Sequence, residues 1–531
     1  MVECYPIDVL PHVSRIFREF MEVRGSGAVR EFYPADPFDR GWMMGAAGEQ
    51  REALADALLA QNVGFGAGAA AAALANIEKL RAGARAVVTG QQVGLLGGPL
   101  LTLLKAATAV RQAREASAGG VAHVPVFWLA TEDHDLDEVN RVSLLEKHGV
   151  QTLRAELTAG AAVPVGGVAV GDAMKLVLER ASELMGFAPV CELLERYYAD
   201  EATLGSAFGK FIASVFSEQG LVVIDASTRE FHAMGAATLR FAIERTDELQ
   251  AALIARGEAL VEAGYHAQVL VAAGGSLLFL VEESGARVAL RRVDGGWKAG
   301  ARGYSTAELL AILESAPERL SPNALLRPVF QDTILPTAAY VGGPAEVAYF
   351  AQSAVLFERI LGRVTPVLPR LSATLIEPAI AKVMVAHEIE FPQALVGADV
   401  LGQRLAARAM PIEGKKKLAA AGNSLDAELT ALTEWMRGLD ESLGRSADVS
   451  ASKMRYQMNR LRRMAANFEL QREGSLRKHA EAVTLNLFPE GHPQERLVAG
   501  AWFLAKYGDG LAELLVEHAG QECPGHRVIF L

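Results

Sequence analysis

Val124-Pro125-Val126-Phe127-Trp128-Leu129-Ala130, followed at once by Thr131-Glu132-Asp133-His134-Asp135, is the stretch on which the fold turns. The seven-residue run shows no apolar–polar alternation, which suits a strand buried on both faces of a parallel sheet. It stops where charge begins. Upstream, Arg85-Ala86-Val87-Val88-Thr89 is a second short run that ends at Gly90 and a glycine-rich loop. Apolar residues then recur at helical spacing over residues 100–115, with Pro99 placed for the first helical position. Downstream, Leu221-Val222-Val223-Ile224 lies between helical stretches and ends in Asp225. Strand, helix and strand, with polar residues massed after each strand, predict a doubly wound α/β core.

The flanks hang on this core. Helices are expected over residues 49–61 and 67–81, separated by Gly64-Phe65-Gly66. Residues 150–205 and 266–325 interrupt the strand–helix rhythm and are expected as insertions into a core unit of residues 1–410. The second insertion reads as an antiparallel meander with strands near 268–271, 276–282 and 287–293. Leu425, Leu429, Leu432, Met436, Leu439 and Leu443 step by four and three, as do Met454, Met458, Leu461, Ala465 and Phe468. That spacing predicts an antiparallel coiled-coil hairpin within residues 411–485, turning at 444–450. Residues 486–531 return to a globular pattern expected to pack back on the core, with a helix near 496–518 and an apolar end, 528–531, able to add a strand.

Composition narrows the function. The 531 residues are 51% hydrophobic and 22% charged, an ordinary globular balance. With 63 acidic against 52 basic side chains the net charge is -11, so a nucleic-acid partner is not expected. Cys4, Cys191 and Cys523 are odd in number and lie far apart, which argues against both a disulfide and a structural zinc site. No apolar run is long enough to span a membrane and the N-terminus lacks a signal-like apolar core, so the cytoplasm is the expected location.

Ligands of open parallel sheets bind outside the carboxyl ends of the strands, and this rule selects three segments. The first is the loop Thr89-Gly90-Gln91-Gln92-Val93-Gly94-Leu95-Leu96-Gly97-Gly98-Pro99, whose following helix could aim free N–H groups at an anion. It matches neither the Walker loop nor GxGxxG. The second is Glu132-Asp133-His134-Asp135, with Asp137 and Glu138 just beyond. So many acids need a cation, an amine or a hydrogen-bond network to compensate them. Here His134, Asp133 and Asp135 are the candidate catalytic groups. The third contains Arg327 and Asp332, then Tyr340-Val341-Gly342-Gly343-Pro344-Ala345-Glu346 ahead of a helical pattern. Glu346 there is as readily a helix-dipole partner as a substrate contact. Lys105, mid-helix, is expected to face solvent. The candidate binding residues are therefore Thr89, Gly90, Gln91, Gln92, Gly94, Gly97, Gly98, Trp128, Glu132, Asn140, Asp225, Arg327, Tyr340, Gly342, Gly343 and Glu346. No metal ligand set is assigned.

The glycine loop together with residues 124–140 (VPVFWLATEDHDLDEVN), 326–351 (LRPVFQDTILPTAAYVGGPAEVAYFA) and 486–496 (NLFPEGHPQER) resembles the bacillithiol biosynthesis cysteine-adding enzyme family, BshC. The matches are long, lie in the family's order and span most of the chain. The resemblance implies a Rossmann-like core related to class I nucleotidyl transferases, connecting insertions and a C-terminal coiled coil that dimerises. It also implies a ligase that adds L-cysteine to the amino group of glucosaminyl malate, with ATP and magnesium as the candidate means of activation. Two rival readings are a nucleotidyl transferase-like enzyme acting on another small carboxylate and a non-catalytic ligand-binding coiled-coil protein.

Overall fold

A computed structural model describes residues 2–22, 27–44, 51–66, 70–160, 162–199, 201–272 and 274–531. Its centre is a five-stranded sheet in which every neighbouring pair is parallel. In chain order the strands are Arg85–Gln92, His123–Ala130, Val222–Ile224, Thr337–Gly342 and Val367–Pro369. In space they run fifth, fourth, first, second, third. Ala86, Val87, Val88, Val126 and Phe127 have no exposed surface, as expected for strands covered on both faces. The first strand does not stop at Gly90 but continues to Gln92, pairing Gly90 with Trp128. A Cβ at Gly90 would lie 2.9 Å from the Trp128 carbonyl oxygen, so this glycine permits close approach of the next strand rather than breaking its own.

The helix after the glycine loop spans Leu101–Ala118, so Pro99 precedes it by two residues. The reason is a distant partner: Pro99 bridges Ala499, and the Leu100 N–H donates to the Val498 carbonyl at 2.8 Å. The expected early helices occur at Glu52–Gly64 and Ala71–Arg81, while residues 49–50 and 67–69 of those expectations lie outside the described residues. The first insertion is preceded by a strand, Arg141–Glu146, that forms a hairpin with Gly149–Arg154 at its start, and it carries two helices, Lys175–Leu184 and Pro189–Tyr197. The second forms the meander Gly275–Val281, Arg287–Val293, Gly296–Ala299 and Arg302–Tyr304, with Leu320–Pro322 added along Gly275–Val281. Residues 268–271 are not a strand, because the Gln352 amide takes both the N–H and the carbonyl of Val269.

Two long helices, Ile412–Leu439 and Glu441–Arg472, make the hairpin. The turn falls at Asp440, whose side chain accepts from the N–H groups of Ser442 and Leu443, rather than at 444–450. Gly444 is already inside the second helix. A Cβ there would lie 2.7 Å from that of Arg437, so glycine lets the two helices cross closely at the tip. The heptad positions do not all face inward. Leu429 and Met458 are buried in the hairpin seam, whereas Leu432, Leu439, Leu461 and Phe468 are 48–62% exposed.

The expected C-terminal helix is divided into Gly500–Tyr507 and Gly510–Glu517 at Gly508, which has φ +68°. The chain ends in a strand, His526–Phe530, which joins a separate sheet and not the central one. It lies between Ser372–Ile376, parallel, and Val2–Tyr5, antiparallel. This pairing brings Cys4 to Cys523, and the two form a disulfide across 519 residues of sequence. The odd cysteine count therefore misled: only Cys191 is free, buried in the second core cluster. A bond between the chain's two ends leaves no local spacing to read. Among the described residues, no helix is long and apolar enough to cross a membrane.

Candidate active site

The first strand of the central sheet lies between the second and the fourth, so the chain leaves it in opposite directions on its two sides. A crevice opens at such a switch point, outside the carboxyl ends of the adjoining strands. Here the two ends are Gly90-Gln91-Gln92 and Gly342-Gly343. A cavity of about 1170 Å³ occupies the crevice, and Gly90, His134 and Gly343, each from a different predicted segment, all line it.

Lys105 ties the switch point together. It is buried, not solvent-facing, and each ammonium hydrogen has an acceptor: the Gly90 carbonyl at 2.8 Å, Gln91 Oε1 at 2.9 Å and Glu346 Oε2 at 2.7 Å. Burial pulls its pKa below that of an exposed lysine, against the Glu346 carboxylate that favours its charge. Glu346 also accepts from the Gly343 N–H at 2.7 Å and from the Tyr340 hydroxyl at 2.6 Å. One carboxylate thus caps the Pro344–Leu361 helix and locks the first strand's loop to the fourth's. Its role exceeds a dipole partner's.

At the second strand's end the acids are organised rather than merely solvated. Gln92 Nε2 donates to Asp133 Oδ2 at 2.5 Å and to Glu138 Oε2 at 3.0 Å. His134 Nδ1 lies 3.5 Å from the Arg287 guanidinium, which stacks 3.7 Å above the Phe279 ring. Asp135 points elsewhere: it caps the short helix Leu136–Val139 by accepting from the Glu138 N–H, and it does not line the cavity. Asp225 lies beneath the floor, accepting from the Thr131 hydroxyl at 2.5 Å, and burial raises its pKa.

At the far side, the fifth strand leads into Arg370, whose guanidinium makes a paired contact with Glu495 at 2.5 and 3.1 Å. Arg327 donates to the Tyr349 hydroxyl at 2.7 Å and, among the described residues, has no carboxylate at ion-pair distance. Arg496, from the C-terminal segment, joins it on the wall.

The comparisons with known proteins agree with this architecture. A family model described as the bacillithiol biosynthesis BshC N-terminal Rossmann-like domain matches residues 4–371. A second, its C-terminal coiled-coil domain, matches residues 373–531. The chain belongs to the BshC family. One relative, from Koribacter versatilis and named "Putative cysteine ligase BshC", is 42% identical over 99% of both chains. Relatives of the same name from Solibacter usitatus and Salinibacter ruber are 35% and 33% identical over 98% and 94% of both chains.

Both BshC domains build the cavity, since Glu490, His492 and Arg496 come from the second. Of the predicted binding residues, Gly90, Gln91, Gln92, Gly94, Gly98, Trp128, Glu132, Arg327, Gly343 and Glu346 line it. Thr89, Gly97, Asn140, Asp225, Tyr340 and Gly342 do not. Thr89 bonds the Val341 carbonyl across the switch point, and Gly97 packs on Phe211 away from the crevice. The glycine loop offers less to an anion than expected, because the N–H groups of Gly98, Leu100 and Thr102 already donate to Leu95, Val498 and Pro99. Reading the sequence missed Lys105, Arg287 and Arg370 as site residues. The strand-end rule applied to residues 367–369 reaches Arg370. Arg287 carries no local signal, since it arrives from the start of an interior strand of the inserted meander.

Proposed function

We propose that this cavity forms an amide between the carboxylate of L-cysteine and the amino group of glucosaminyl malate, in the cytoplasm, to give the thiol bacillithiol. Family membership and the names of the relatives support the reaction class. The observation that carries the reading is a change of sign across one cavity. Glu132, Asp133 and Glu138 gather at the second strand, while Arg327, Arg370 and Arg496 gather towards the fourth and fifth. From the fifth strand to the second is three strand spacings, roughly 14 Å. An amino sugar with malate at its other end has the matching polarity: an amine for the acids and carboxylates for the arginine side, where Arg370 is already paired with Glu495 but Arg327, among the described residues, has no carboxylate at ion-pair distance. Arg327 is the chosen carboxylate partner. The volume leaves room for a second small substrate.

A carboxylate oxygen is a poor leaving group, so the cysteine carboxylate needs activation. ATP is the proposed cosubstrate: it would convert the carboxylate oxygen into a leaving group that departs as inorganic phosphate, or as AMP after pyrophosphate has been released, with its phosphates held by Arg496 and His492. Among the described residues no group of three or more His, Cys, Asp or Glu side chains is placed to hold a metal, so magnesium is proposed to enter with the nucleotide. The protein's own part is to hold the amine against the acid cluster and to keep water from the acyl group. Incubation with cysteine and glucosaminyl malate, with and without ATP and magnesium, is expected to yield a thiol whose mass is the two substrates' sum less one water, in the ATP arm. Absence of that product in every arm overturns the reading.

The assembly proposed is a homodimer through the hairpin. Trp435 and Phe468 are 61% and 62% exposed on the outside of the hairpin, as are Leu432, Leu439 and Leu461 at 48–60%. Replacing Trp435 and Phe468 by glutamate is expected to halve the mass measured in solution by light scattering; an unchanged mass removes these side chains from the interface.

A further inference from the structure

His232 lies outside every motif discussed above, yet it stands directly behind the acid cluster. It belongs to the helix Arg229–Met234 that follows the third core strand, and its ring has no exposed surface. Nδ1 is 3.0 Å from the Leu320 carbonyl oxygen, and Nε2 is 3.1 Å from Glu132 Oε1. A carbonyl oxygen can only accept, and an ionised carboxylate can only accept. The carbonyl fixes Nδ1 as a donor, while Nε2 stands at ion-pair distance from Glu132 without hydrogen-bond alignment, so the contact with Glu132 is an electrostatic one that favours the doubly protonated ring. Burial opposes that charge, and the Glu132 carboxylate outweighs it, so the His232 pKa is raised.

The same edge strand supports a second cation. Leu320–Pro322 offers the Leu320 carbonyl to His232, and the Ser321 hydroxyl and Pro322 carbonyl to Arg287 at 2.8 Å each. One edge strand thus holds both His232, which stands behind Glu132, and Arg287, whose charge acts on Glu132 and Asp133. Glu132 itself remains 19% exposed at the cavity wall. A carboxylate fixed from behind and open in front is a preorganised partner for an ammonium group.

We propose that Glu132 anchors the amino group of the sugar substrate and that His232 is the positioning residue that aims it. This rests on the proposed function, because it names which acid takes the amine in that reaction. Asp133 is held by Gln92 and lies nearer His134, so the two acids are supported separately.

The test compares glucosaminyl malate with its N-acetylated form by calorimetry, on the wild type and on His232→Leu, alongside thiol-forming kinetics. Wild type is expected to prefer the free amine by about tenfold or more, the value of one charge-assisted contact. His232→Leu is expected to lose that preference and to raise KM for the amino sugar by about the same factor, leaving KM for cysteine within about twofold. His232→Gln, which keeps one donor for Glu132, is expected to recover part of it. A purely structural histidine would lower the active fraction without splitting the two KM values. The pair itself is read by nitrogen-15 NMR of the His232 ring, which Glu318 also faces, while Arg287 and Asp225 act on Glu132. Glu132→Gln is expected to lower the ring's pKa. An unshifted ring, or an amine preference retained by His232→Leu in an enzyme that still forms thiol, overturns the anchor and leaves the ligase reading standing. A wild type that forms no thiol and binds neither sugar overturns both.

Discussion

Replacing Glu495 by alanine is expected to lower the free energy of unfolding by about 3–5 kcal/mol, the cost of leaving one member of a buried ion pair alone. Glu495 has almost no exposed surface and accepts from both terminal nitrogens of Arg370, from the Ser372 hydroxyl and from the Ala373 N–H. Burial alone would raise its pKa, but Arg370 and these donors hold it below the usual carboxylate value. A carboxylate whose folded pKa is depressed contributes stability above its unfolded pKa and loses it as pH falls through the folded value. The gap between wild type and Glu495→Ala should therefore be full at neutral pH and narrow in acid. Denaturant titrations at both pH values measure it, and equal gaps would show that charge is not the cause. Replacing Arg370 and Glu495 together by methionine is expected to restore much of the stability without the activity, because Arg370 also lines the cavity.

The second large effect is catalytic. His134→Ala is expected to reduce thiol formation by about 10²- to 10⁴-fold, the usual contribution of a positioned acid–base group. The melting curve should not move, since the side chain is 41% exposed and its polar contacts, to Arg287 at 3.5 Å and Asp133 at 3.9 Å, are long. Turnover equal to wild type would take His134 out of the reaction.

The core was legible because its signals are local. A continuous apolar run such as 124–130 needs a two-sided burial site wherever it occurs, and strand-end placement then points to Gly90, His134 and Gly343 without knowledge of the rest of the fold. What stayed hidden depends on partners far along the chain. Lys105 reads as a surface residue in its own helix and becomes buried only because Glu346, 241 positions later, meets it across the switch point. Arg287 and His232 meet the acid cluster by way of the edge strand Leu320–Pro322. Asp135 shows the opposite failure: it belongs to a charged motif but serves as a helix cap. The heptads located both hairpin helices, yet the period could not say which apolar residues meet within the hairpin and which remain outside.

The sulfur bridge from Cys4 to Cys523 closes the polypeptide between them into a covalent ring, with strands Val2–Tyr5 and His526–Phe530 lying side by side. A ring has no privileged opening. A gene rearranged so that a short linker spans the old ends and the chain begins instead at the Asp440 turn would keep every core connection intact, and a single proteolytic cut there would leave the two pieces tethered until a reductant released them.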